Sequence, residues 1–154
     1  MGIPSVDLAD FLSGDPARKS KFVEALGAAY SDIGFVALKN HLLSEELVQH
    51  LYKEVQAFFS LDEAKKRAYE IKGLAGQRGY VSFGKEHAKD SNAGDLKEFW
   101  HFGQVVEGDD PIKSEYPENV IVNELPEFNE VGIKAYKKLE ETGKEMLRAI
   151  ALFL

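Results

Sequence analysis

Cysteine is absent from the 154 residues. That excludes disulfides, thiolate nucleophiles and cysteine-ligated zinc or iron–sulfur centres. Long apolar runs are missing too: no stretch approaches the ~20 residues of a membrane span. The start, Met1-Gly2-Ile3-Pro4-Ser5-Val6-Asp7, has no basic segment ahead of an apolar one, so it does not read as a signal peptide. Val6 stands where N-myristoylation wants Ser or Thr. A cytoplasmic protein without a membrane partner is the expectation. Basic residues are the scarcer charges, 19 against 26 acids for a net charge of −7, whereas a nucleic-acid partner selects for clustered cations. The densest basic cluster, Lys65-Lys66-Arg67, follows two acids and is expected to be a solvated helix end.

What is present suits one globular domain: 44% hydrophobic residues and aromatics comprising 10 Phe, 6 Tyr and 1 Trp. Ile3 to Leu8 reads as an edge strand that tolerates Pro4. Asp15-Pro16 is a helix start, with Phe22, Leu26, Tyr30 and Ile33 as its apolar stripe and Gly34 as its end. Phe35 to Leu38 suggests a buried strand, followed by the turn at Asn40-His41. Ser44 with Glu45 and Glu46 opens a second helix, with Leu47, Leu51, Val55, Phe58 and Phe59 on one side. Ser60-Leu61-Asp62-Glu63 has the capping-box pattern, so a short third helix is expected directly after it.

From Gly73 to Gly84 the texture changes. The G-x-x-G-x-x-G spacing is not the dinucleotide fingerprint, and Tyr80 to Phe83 is a strand candidate. Glu86 to Gly94 reads as a polar loop with His87 solvated, Lys97 to Val106 as an aromatic-rich strand, and 107–124 as a long connection. Pro126 opens the longest helix, with Phe128, Val131, Ala135, Leu139, Met146 and Ile150 near one face. Its last residues, Ala149 to Leu154, are all apolar, with neither a polar cap nor a charged last turn. The expectation is that the polypeptide continues, or that this end packs on something outside the chain.

The four histidines, His41, His50, His87 and His101, are where metal chemistry would be sought. None has an acid two residues on, and the zinc-type H-E-x-x-H is missing. His41 is expected to bond backbone in its turn and His50 to edge the second helix's stripe. His101, in the Trp100-His101-Phe102 strand, is the one considered for ligand contact. Asp95 and Glu98, three residues apart, read more readily as a strand-entry cap and an exposed acid than as a catalytic pair. Residue types and spacing thus lead to an α+β domain and no further.

The succession of segments adds more. Ile3-Pro4-x-Val6-Asp7-Leu8, then Gly34-Phe35-Val36-Ala37-Leu38-Lys39-Asn40-His41, then Phe58-Phe59-x-Leu61 with Lys65-Lys66, resemble in order the opening landmarks of the isopenicillin-N-synthase-like oxygenases. Gly79-Tyr80, Asp95-x-Lys97-Glu98 before an aromatic strand, and the helix from Pro126 to Leu154 continue the resemblance over nearly the whole chain. Leu42 departs from it, since a Gly usually follows the Asn-His pair. The resemblance implies the N-terminal part of a non-haem Fe(II)/2-oxoglutarate-dependent oxygenase. With O2, such an enzyme hydroxylates, desaturates or cyclises a small organic substrate.

The implied fold is α+β, helices with a few short strands flanking a double-stranded β-helix (jelly-roll). Residues 1–154 would form a single N-terminal domain, and the catalytic barrel, a missing C-terminal half, is expected after Leu154. The family's His-x-Asp…His iron ligands and its 2-oxoglutarate-gripping Arg-x-Ser belong to that barrel, and none is carried over to a residue here. This chain alone is therefore expected to be inactive, with neither catalytic nor metal-ligating residues of its own. Gln77, Arg78 and Tyr80 fall near positions where similar enzymes contact substrate, and with His101 they are the candidate substrate-binding residues. Arg78 suits a two-pronged grip on a carboxylate; the alternative is a surface Arg and a core Tyr. The competing reading is a stand-alone, non-catalytic α+β binding or dimerisation module whose apolar tail mediates association.

Overall fold

Pro4 lacks a backbone donor, but its carbonyl is free to accept, and Ala37 N–H donates to it at 2.8 Å. That bond opens a parallel pairing of β1 (Ser5–Asp7) with β2 (Ala37–Lys39). The computed structural model describes residues 2–86 and 94–154. These fall into two compact units, 1–45 with 138–154, and 46–137.

In the first unit Asp7 ends β1 and caps α1 (Leu8–Phe11), its Oδ1 accepting from Ala9 N–H at 2.9 Å. Asn40, in the left-handed region at φ 50°, donates to both oxygens of the same carboxylate at 2.8 Å. Asn40's bond, reinforced by that of Ala9, holds the Asp7 carboxyl below its usual pKa. The predicted start of α2 (Pro16–Asp32) is found as read, with Asp15 accepting from Ala17 N–H at 2.8 Å. Its end is also as read: Gly34, at φ 83°, and Ile33 both donate to the Ala29 carbonyl at 3.1 Å.

The core of this unit is Val6, Leu8, Phe11, Phe22, Val23, Leu26 and Ala149. Only the first half of the expected α2 stripe is buried, for Tyr30 and Ile33 are exposed. The run Phe35–Leu38 is not a buried strand either. It alternates as a strand must, with Val36 and Leu38 packed on the core and Phe35 exposed at 68%.

In the second unit, α3 (Glu45–Phe59) buries Leu47 and Phe58 as its stripe predicts. The capping box does not form. Asp62 holds the N-cap position of α4 (Glu63–Arg67) without a side-chain bond, and the Ser60 hydroxyl instead donates to Gln56 O at 2.7 Å, closing α3. Nor is Lys65-Lys66-Arg67 wholly solvated, for Lys66 is buried. The strands are shorter than expected: β3 (Gly79–Val81) pairs antiparallel with β4 (Phe99–His101), Tyr80 opposite Trp100. The readings of His87 and of most of the Glu86–Gly94 loop lie outside the described residues.

Phe58 centres this unit's core, its ring 4.7 Å from Trp100, 4.9 Å from Phe128 and 5.9 Å from Tyr80. The 107–124 connection contains a 3-10 turn at Pro111–Glu115. It is pinned by buried Asn129, which donates to the Val122 and Leu125 carbonyls at 2.8 and 3.2 Å and accepts from Val122 N–H at 2.8 Å.

The long α5 (Pro126–Phe153) supplies its first part to the second unit and its last part to the first. Its buried line runs Phe128, Val131, Ala135, Thr142 and Ala149. Leu139, expected on that line, is 57% exposed; the next buried position after Ala135 is Thr142, two turns on. At the helix end Leu152 and Leu154 are exposed. Among the described residues no helix is long and apolar enough to cross a membrane.

Candidate functional site

The turn between α4 and β3 borders a cleft of about 620 Å³ within the second unit, edged by Glu70, Lys72, Gly76, Arg78, Tyr80 and Lys85 among others. That size lies within the roughly 300–1,000 Å³ of small-molecule sites. Gly79 permits the tight approach of β3 to α4's end. It sits at φ 77°, and a Cβ there would stand 2.6 Å from the Tyr69 carbonyl.

Of the four candidate residues, Arg78 and Tyr80 line the cleft together. Arg78 donates from Nη1 to Gln77 O at 2.7 Å, while its enclosed Nε has no partner among the described residues. The guanidinium lies directly over Gly103, where any Cβ would collide with it. Gly103 is in turn clamped by Asn119, which accepts from its N–H at 2.7 Å and donates to its carbonyl at 2.9 Å. Gly103 and Asn119 were missed from sequence, although a glycine directly after an aromatic strand is a signal for close backbone approach.

Tyr80 is a core residue, 1% exposed. Its hydroxyl donates to Glu98 Oε2 at 2.5 Å, and Lys66 Nζ donates to the same oxygen at 2.7 Å. Burial, then the Glu98 carboxylate, pushes the Tyr80 hydroxyl far above its usual pKa. Burial works to raise Glu98 as well, but the bonds from Lys66 and Tyr80 outweigh it and hold that carboxyl below its usual range. Glu98 is thus half-buried and committed to this trio rather than exposed. Asp95 accepts from Gly84 N–H through its backbone and lies 3.7 Å from Lys97, so Asp95 and Glu98 serve different partners.

Gln77 is exposed at the turn. His101 is exposed too, but Nδ1 lies 2.5 Å from Gly76 O. A carbonyl only accepts, so Nδ1 carries the proton and Nε2 is left for other partners. Neither Gln77 nor His101 is among the residues edging the cleft.

The cleft's acids have partners. Glu70 accepts from Ser82 N–H at 2.8 Å and lies 4.0 Å from Lys85. Burial raises its carboxyl, but the Ser82 bonds and nearby cations prevail and lower it. Glu86 pairs with Lys97 at 2.5 Å. Among the described residues, Arg78 and Lys72 pair with no acid, so the cleft's uncommitted charge is positive.

Residues 3–126 match the family described as the N-terminal region of the non-haem dioxygenase in morphine synthesis. The chain belongs to that family. Among curated proteins, the chain is 32% identical to proline hydroxylase buaE of Petromyces alliaceus, over 98% of the chain and 47% of that protein. A 2-oxoglutarate-dependent dioxygenase of Aspergillus flavus, imqE, is 42% identical over 54% of the chain and 23% of its own length. Among solved structures, a 2OG-Fe(II) oxygenase family protein from Caulobacter crescentus superposes with TM-score 0.83 at 31% identity, covering 99% of this chain and 48% of that one. A full-length Neurospora crassa protein in complex with alpha-KG and thymine gives TM-score 0.78 at 25% identity, over 98% and 48%. The chain therefore spans about half the length, or less, of the curated relatives it matches.

The described residues do not fit the family's iron and 2-oxoglutarate. Among the described residues the one cluster of three metal-ligating side chains is His50, Glu54 and Glu127, a single imidazole with two carboxylates. It is not the two-His, one-carboxylate set that Fe(II) oxygenases use. The Arg18-Lys19-Ser20 sequence sits on exposed α2, with Arg18 paired to Asp10 at 2.7 Å. No chemical step is assigned to this chain through either group.

Proposed function

We propose that this chain is the barrel-flanking N-terminal part of a cytoplasmic 2-oxoglutarate/Fe(II)-dependent oxygenase that acts with O2 on a small organic substrate. The jelly-roll that holds iron and 2-oxoglutarate follows Leu154, and the chain alone is inactive. Its contribution is to buttress that barrel and to edge the substrate entrance. The supporting observation is the positively biased cleft of about 620 Å³, where Arg78 lies braced on Gly103.

Within it, Arg78 holds an anionic group of the substrate, a carboxylate being the best match to the guanidinium fork. Tyr80 supplies the cleft's floor, and its hydroxyl remains committed to Glu98. Gln77 and His101 Nε2 are polar contacts at the entrance, available if the substrate reaches past the cleft.

Kinetics of the full-length gene product test this reading. Arg78→Gln should raise the substrate KM by about tenfold to a hundredfold, the loss of one charge-assisted contact. The KM for 2-oxoglutarate should stay unchanged. Unchanged substrate KM would remove Arg78 and the cleft from the entrance. Concentration-dependent dimerisation of the 154-residue chain, with no 2-oxoglutarate turnover by the gene product, would favour the stand-alone binding module instead.

A further inference from the structure

His50 and Glu54 lie one turn apart on α3, and the first turn of α5 brings Glu127 against them, all within the second unit. His50 Nε2 is 3.3 Å from Glu127 Oε2 and 3.8 Å from Glu54 Oε1, and one donor atom from each residue falls within 4.8 Å of the others. Tetrahedral zinc at its usual bond lengths spaces its donor atoms roughly 3.3–3.5 Å apart. The 3.3 Å distance already meets that spacing and the 3.8 Å one lies just beyond it, within reach of a side-chain adjustment.

A second observation points the same way. The Glu54 side chain is only 7% exposed, aimed into this cluster from the helix. Buried carboxylates are costly unless a cation meets them. The neighbouring cation is Lys53, whose Nζ lies 3.3 Å from the same oxygen but whose side chain is 74% exposed on a flexible stem. Such a lysine gives way easily to a divalent ion. The imidazole Nε2, meanwhile, faces carboxylate oxygens of both glutamates.

We propose that His50, Glu54 and Glu127 form a binding site for a divalent cation of the zinc class. Three protein ligands would hold the ion, with water in the fourth position. One imidazole with two carboxylates favours such borderline ions over Mg2+ and Ca2+, which take all-oxygen shells. Bound there, the ion would tie α3 to the first turn of α5 and stabilise the second unit.

The test uses tag-free, metal-stripped protein titrated with zinc and, as a spectroscopic probe, Co2+. The expected results are one zinc per chain, a visible Co2+ absorption band of low-coordinate type, and a rise in Tm with zinc. Even outer-shell partners of a metal are worth 10–100-fold in affinity. Glu127→Gln and His50→Ala should therefore each weaken zinc binding by more than about tenfold and remove the Tm rise. Glu127 is 63% exposed, so its variant should fold normally without metal, and His41→Ala serves as an exposed-histidine control. Absence of stoichiometric zinc binding, or binding that Glu127→Gln and His50→Ala leave at the parental level, would overturn the proposal.

Discussion

Tyr80→Phe is the most informative single change to the buried trio beneath the cleft. It removes one hydroxyl and almost no volume, so it opens no cavity. It breaks the 2.5 Å bond to Glu98, leaving Lys66 as that carboxylate's partner. A hydrogen bond to a charged group contributes about 1.5–3 kcal/mol, which for a chain of this size lowers Tm by about 4–10 °C. The deficit should depend on pH at both ends. The Glu98 carboxyl is depressed in the folded state, so its contribution is present above the ordinary carboxyl range and is lost as pH falls through the folded value. Tyr80 is shifted upward. The unfolded tyrosine ionises near pH ~10 while the folded one stays protonated, so above that pH the parent loses the Tyr80 contribution, which the phenylalanine variant never had. Urea unfolding at several pH values should show the largest gap between the two proteins near neutrality, narrowing below about pH 4 and above about pH 10. A gap under about 0.5 kcal/mol at neutrality, or one that does not change with pH, would refute the trio as described.

Other outcomes follow from the same geometry. Phe58→Ala, at the centre of the aromatic cluster, should cost about 3–5 kcal/mol in urea unfolding. Asn129→Ala strands two carbonyls and one N–H at the entry to α5; a loss of about 2–4 kcal/mol is expected, read in the same assay. Gly103→Ala pushes the Arg78 guanidinium aside and should reproduce the substrate KM increase of Arg78→Gln in the full-length gene product.

The parts of the fold that were legible in the sequence are those set by short-range chemistry. Asp15-Pro16 and Gly34 bound α2 as read, and Pro126 opens α5, because caps and punctuating residues act within a few positions of themselves. Strand lengths were overestimated where Phe35 and the residues after His101 pair with no strand among the described residues, since pairing depends on distant segments. Lys66 read as solvated and Glu98 as exposed because the trio that encloses them, with Tyr80, joins residues up to 32 positions apart. Of the candidate site, the glycines marked only a turn, and Gln77, Arg78 and Tyr80 within it were named from the family resemblance. The bracing of Arg78 by Gly103 and Asn119 was not, since it consists of what a missing Cβ allows and of a clamp formed 16 residues away.

The intact mass of the natural gene product tests most directly whether this chain is the flank of a catalytic barrel. The relatives it resembles run to about twice its length, so a product near twice 17.2 kDa is predicted, its second half carrying the iron and 2-oxoglutarate ligands. A product of 17.2 kDa would contradict the oxygenase reading and leave a binding module in its place.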